Sequence, residues 1–234
     1  MPTGPQRQSK EGMATQEQRG ARGRRDSYHH GNLREALIRA ALDMIAERGL
    51  AGVAVAELAR AVGVSAAAPY RHFRDRNALI AEVARRGFEQ LAAEMETAWD
   101  KGAPDPVGAI ERCGRAYLAF ARREPAAFAA MFGDGAVGED AEVRRASDAA
   151  LAVLRRAAEA ACAVGTARRR PPALMVALHV WSLAHGIAAL FVGGGQDMRR
   201  KLPMQPEDLL EAGLLLYLQS LGLTTPERGA AGDT

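Results

Sequence analysis

Aromatic residues are scarce, 5% of a 234-residue chain, with six Phe, four Tyr and two Trp. A core short of rings must be built from aliphatic side chains. Alanine supplies much of the 48% hydrophobic content, which suits closely packed helices. Lysine is rarer still: only Lys10, Lys101 and Lys201 stand among 31 basic residues. Such a bias toward arginine reads as the mark of a GC-rich genome, so abundant arginine alone points to no partner. The only cysteines, Cys113 and Cys162, fall in helical patterns far apart in sequence. Buried thiols in a reducing compartment are expected, rather than a disulfide. No uninterrupted apolar run approaches the ~18 residues of a membrane span, and the polar N-terminus lacks a signal-peptide core. The expectation is a soluble cytoplasmic protein without membrane contact.

Catalytic signatures are missing too. There is no G-x-S-x-G elbow, zinc-ligand spacing, Walker loop or dinucleotide fingerprint, so no catalytic residue, metal or cofactor is expected. His179 and His185 are six residues apart on one helical pattern and cannot share a face as a ligand pair. His29-His30 has no acidic or cysteine partner at ligand spacing. An enzyme is not the expected reading.

Charge is present but unevenly placed. The net charge is +3, and residues 1–27 carry all of it, since the other 207 residues are formally neutral. This Gln-, Gly- and Arg-rich stretch shows no apolar periodicity and reads as a disordered basic tail. Arg22, Arg24 and Arg25 could serve there as an arm for phosphate or minor-groove contact. A second disordered tail is expected over residues 224–234.

The most informative stretch is Val55 to Phe73, VAELARAVGVSAAAPYRHF. Leu58, Ala59 and Val62 share one face of a short helix, and Gly63 has the place of a C-terminal cap. Ser65 is placed to N-cap a second short helix ending at Tyr70, Arg71, His72 and Phe73. Two short helices about a glycine turn make a helix-turn-helix, whose second helix enters the DNA major groove. Before it, Leu33, Leu37, Ala40, Ala41, Met44 and Ile45 mark a helix, with Asn32 and Glu35 at capping-box spacing and Gly49 as its stop. After it, Asp75 is placed to cap a long helix reaching about Asp100, with Leu79, Val83, Phe88, Leu91, Met95 and Trp99 along it.

YHHGNLREALIRAALDMIAERG followed by VAELARAVGVSAAAPYRHFRDRNALIAEVA resembles the N-terminal domain of the TetR family of bacterial transcriptional regulators. That resemblance implies an all-α protein: a three-helix DNA-binding domain over residues 28–76, then a helical effector-binding and dimerisation domain over 77–223. It implies a homodimer on double-stranded DNA at a palindromic operator. By position, Ser65, Ala66, Ala67, Tyr70, Arg71 and His72 would face DNA, and Arg76 would touch phosphate in the place of the family's usual lysine. Two departures weaken the first helix of the pair. Ala54 stands where a Ser or Thr cap is common, and Ala56 where a polar or basic residue often lies.

Beyond the Gly102–Pro106 break, helices are expected over Val107–Glu124, from Pro125, over Ala141–Val164, over Leu174–Val192 and from Pro206. Trp181, His185 and Gly186 resemble the Trp-His-Gly signature of one C-terminal subfamily of these regulators. Arg168-Arg169-Arg170 reads as a solvated turn. The last helix, with Leu209, Leu210, Gly213, Leu214, Leu216 and Leu221, is apolar nearly all round, and a partner subunit is its expected cover. Tyr117, Phe120, Phe128, Met131, Phe132, Met175 and Trp181, with His185, are the candidate lining for a small-molecule effector of apolar or aromatic character. The function expected is a repressor released by that effector. The alternatives are an activator and a helical ligand-binding or adaptor protein without DNA activity.

Overall fold

The computed structural model describes residues 33–133, 140–165, 171–193 and 203–223, and these contain helices but no strand. The Asn32 cap, the His29-His30 pair, Arg168–Arg170 and both tails lie outside the described residues. Helix α1 covers residues 33–48 and buries Leu37, Ala41 and Ile45 at four-residue intervals. Gly49, at φ +72°, ends it, and its N–H donates to the Ile45 carbonyl at 2.8 Å. A 3-10 turn over Leu50–Gly52 leads to α2, Val55–Val62. Ala54 offers α2 no side-chain cap, and Gly63 closes it in the left-handed conformation (φ 76°, ψ 32°), both as the sequence implies.

The second helix of the pair is shorter than expected. A turn at Ser65–Ala68 is followed by a single 3-10 turn at Pro69–Arg71. Pro69 has no N–H to give the Ser65 carbonyl, which takes the Ala68 N–H instead at 3.0 Å. The Ser65 hydroxyl makes no hydrogen bond among the described residues. Phe73 then anchors the segment. Its ring is buried, with the Arg34 guanidinium 5.3 Å above the centroid.

Helix α3, Arg76–Trp99, begins at Asp75, whose carboxylate accepts the Ala78 N–H at 2.8 Å. A cap of this kind stabilises a helix by about 1 kcal/mol. It is the spine of the molecule, buried along Leu79, Val83, Phe88, Leu91 and Met95. Helices α4 (Pro106–Arg123), α5 (Pro125–Phe132) and α6 (Ala141–Val164) pack on it. Asp105 and Asp140 cap α4 and α6. Helix α7, Ala173–Ala188, continues as a π-turn over Ala189–Gly193 and lies on α4 and α6; α8, Pro206–Ser220, lies on α4 and α7. One hydrophobic core runs unbroken from Leu37 in α1 to Leu223.

Candidate nucleic-acid interface and effector site

The surface at the end of the helix pair is built by the short turn just described. Ser65, Ala66, Ala67, Tyr70 and Arg71 are exposed there and His72 is half-buried. Tyr70 is 56% exposed, an unusual position for an aromatic side chain in a chain so poor in them. Arg76 behaves differently from its sequence-based assignment to a phosphate. Its Nε donates to the Val53 carbonyl at 2.9 Å and its Nη2 to the Leu50 carbonyl, with Nη1 toward Asn77. The Leu50 carbonyl already accepts the Val53 N–H and gains Arg76 as a second donor, so the guanidinium is turned inward as a structural clamp on the α1–α2 turn.

A charged joint fixes α1 against α3. The Arg86 guanidinium makes two hydrogen bonds of 2.6 Å to the Glu35 carboxylate, and Glu82 takes Arg34, Arg85 and Arg86 at 2.7–2.9 Å. Partial burial pushes the Glu82 carboxyl up, but the three guanidinium hydrogen bonds outweigh it and draw its pKa down to about 2. Glu35, at capping-box spacing in the sequence, is an ion-pair partner in the fold, with its pKa lowered first by the Arg86 hydrogen bond. A second joint lies at the end of α5, where a side chain added at Gly133 would collide with Leu50 of the α1–α2 turn. The end of α5 therefore touches the α1–α2 turn directly.

The other candidate feature is a nest of rings where α3, α4, α5 and α7 meet. Tyr117 stands 5.5 Å from Trp181 and 6.0 Å from Phe128, and Phe132 stands 4.4 Å from His185, centroid to centroid. Phe88 of α3 meets Phe132 edge-on at 5.3 Å. Among the described residues the one polar contact in the nest is Tyr117 Oη to His185 Nδ1 at 2.9 Å. Burial pushes the Tyr117 phenol well above its ordinary range and pulls the His185 imidazole down. No charged side chain is buried among the described residues.

One face of α7 and part of α8 remain uncovered. Leu174, Met175 and Leu178 on α7, Leu190 on its π-turn, and Leu215 and Leu216 on α8 are exposed. Gly186 has open space where a Cβ would stand. Leu210, Leu214 and Leu218 point the other way, into the core. The sequence pattern assigns Leu214 to the partner-facing side; at 2% exposure it belongs to the protomer's own interior. Ala173–Phe191, 19 residues with mean hydropathy 1.8, is long and apolar enough to cross a membrane. That corrects the expectation that nothing approaches such a span. His179, Ser182 and His185 interrupt the run in sequence without lowering its average enough.

Residues 37–83 match the family model described as bacterial regulatory proteins, tetR family, and residues 110–217 match the tetracyclin repressor-like C-terminal domain. The chain belongs to the TetR family of transcriptional regulators. No curated protein matches it. It is similar to a solved protein of unknown function from Rhodococcus sp. RHA1, at 32% identity and TM-score 0.71, covering 83% of this chain and 98% of that one. It shares its fold with the TetR family regulator PfmR from Thermus thermophilus (23% identity, TM-score 0.52, 81% and 99% covered). It also shares it with AibR, solved in complex with isovaleryl coenzyme A and operator DNA (15% identity, TM-score 0.62, 79% and 97% covered).

In this TetR family regulator the effector residues named from sequence do not all meet. Tyr117, Phe128, Phe132, Trp181 and His185 form the nest. Phe120 and Met131 are fully buried, Met131 lying against Gly87 of α3 instead. Met175 is 58% exposed, on the uncovered face of α7 rather than inside, because the helix turns it away from the buried stripe of Val176 and Val180. Phe88 and Leu50 escape the sequence reading, since nothing in their local sequence shows which distant ring or turn they meet. Gly133, Gly135 and Gly138 do have the spacing of a dinucleotide fingerprint. They follow helix α5 rather than a strand, so the setting that gives the motif its chemistry is absent.

Proposed function

We propose that this regulator is a dimeric repressor, released from a palindromic operator when a small molecule enters the ring nest. Residues 28–76 are the reading head and 77–223 the effector-binding and dimerising body, with no enzymatic role and a cytoplasmic place of work. The observation that carries the reading is the exposed Ser65–His72 turn, which presents Tyr70, Arg71 and His72 beyond a rigidly clamped helix pair. Alanines at 66 and 67 let the backbone come close to the groove, while the polar ends contact bases and phosphates. Arg76 is not counted among those contacts.

The uncovered faces of α7 and α8 supply the dimer, with Gly186 allowing close approach of a partner helix. The route from effector to operator runs through α5. That helix carries Phe128 and Phe132 in the nest and Met131 in the notch at Gly87, and Gly133 at its end lies beneath Leu50 of the head. A ligand displacing those rings moves α5 against both α3 and the α1–α2 turn. It favours a spacing of the two heads that no longer matches half-sites about one helical turn apart. AibR, of the same fold, was solved with isovaleryl coenzyme A and operator DNA together. A gel shift on the regulator's own upstream region is the test. Failure of the folded dimer to shift that DNA favours a ligand-binding protein without DNA activity, and transcription lost rather than gained on deletion favours an activator.

A further inference from the structure

The Tyr117–His185 contact has a direction that the count of donors and acceptors settles. Tyr117 is 1% exposed and its hydroxyl has one partner among the described residues, His185 Nδ1 at 2.9 Å. A buried hydroxyl proton left without an acceptor is costly, and no buried side-chain polar atom among the described residues is unpaired. The phenol therefore donates and Nδ1 accepts. Burial favours the protonated phenol and the neutral imidazole, which is the pairing this bond requires. A neutral imidazole that accepts at Nδ1 carries its one proton on Nε2. His185 thus offers a donor, held in one tautomer by Tyr117, on a ring packed against Phe128 and Phe132. Phe132, Trp181 and His185 are only partly buried, so solvent reaches this side of the nest.

We propose that the effector is an uncharged aromatic compound bearing a hydrogen-bond acceptor, and that His185 Nε2–H is the group that reads the acceptor. The proposal rests on the effector-binding reading above and narrows it. The rings select a flat apolar body by edge and face contact. No charged side chain is buried among the described residues to neutralise a carboxylate or an ammonium. Tyr117 is a positioning residue: it touches no ligand atom in this scheme but fixes which nitrogen of His185 holds the proton.

The test uses four size-matched probes with the full-length protein: 2-acetylnaphthalene, 2-ethylnaphthalene, 2-naphthoate and 2-naphthylmethylammonium. Titration calorimetry is expected to rank the ketone about tenfold tighter than the ethyl compound, which lacks the acceptor. Both ions should be weaker than the ketone by on the order of a hundredfold. His185→Phe keeps a ring in place and removes the donor, so it should bind both neutral probes equally. Tyr117→Phe should shrink the ketone preference while leaving the ethyl compound's affinity unchanged. Nitrogen-15 spectra of histidine-labelled protein, assigned with the His185 variant, should show the Nε2–H tautomer. An Nδ1–H tautomer, a ketone preference that survives His185→Phe, tighter binding of either ion, or no binding of any probe overturns the proposal. None of these measurements uses DNA. An operator gel shift in parallel therefore shows separately whether the regulator reading stands.

Discussion

Leu214 and Leu216 are two residues apart on α8, yet the fold gives them opposite surroundings. Leu214 is 2% exposed and packs into the core; Leu216 is 70% exposed on the face assigned to the partner. Leu214→Ala removes fully buried methyl and methylene groups and leaves a cavity, which costs about 2–5 kcal/mol of protomer stability. On a free surface, Leu216→Glu would change stability by no more than about 0.5 kcal/mol. Beneath a partner helix, the same carboxylate is buried without a counterion and costs several kcal/mol, all of it charged to the dimer. At about 1.4 kcal/mol per decade, the dimer dissociation constant rises a hundredfold or more. Sedimentation velocity across a micromolar concentration series reads the second effect, and urea unfolding at fixed concentration reads the first. Leu216→Glu is expected to yield a folded monomer, and Leu214→Ala a dimer with an earlier unfolding midpoint. A Leu216→Glu protein that stays dimeric with unchanged affinity would refute the assignment of this face.

Tyr70→Ala with His72→Ala should abolish the gel shift while circular dichroism stays unchanged, since neither side chain belongs to the core; a retained shift sinks the reading turn. Glu82 has a folded pKa of about 2 against an ordinary 4.5, so its contribution is present above about pH 4.5 and fades as pH falls toward 2. Urea midpoints of wild type should therefore drop over that window, and Glu82→Gln should start lower and vary less there. Gly87→Ala would set a Cβ 2.6 Å from the Met131 sulfur, overpacking the α3–α5 contact at a cost of about 1–3 kcal/mol. Its melting temperature should fall by several degrees; an unchanged value would mean that Met131 yields freely. Removing residues 1–27 should flatten the salt dependence of operator affinity by about 0.9 per lost phosphate contact, at most roughly five units for a dimer. Equal slopes would assign the tail no DNA contact.

Helix starts and stops were legible in the sequence because capping is local chemistry. Asp75, Gly49 and Gly63 sit where their short-range hydrogen bonds and backbone preferences put them, while the caps at Asp105 and Asp140 came only with the structure. The Val55–Phe73 pattern was legible as a helix-turn-helix, and the resemblance to the TetR N-terminal domain implied an all-helical regulator. Even the truncated second helix could have been read, since Pro69 shows in the sequence that one helical hydrogen bond cannot form. Only the tertiary structure decided which side of a helix faces inward. An apolar α8 offered Leu214 and Leu216 as equals until α4 and α7 packed against one side of it. The same applies to Met175, sent to the surface, and to Arg76, whose guanidinium found the Leu50 and Val53 carbonyls before any phosphate could claim it. The joints of the molecule, Glu35 with Arg86 and Gly133 with Leu50, link residues 51 and 83 positions apart. Contacts at that separation depend on how whole helices pack, which no local spacing encodes.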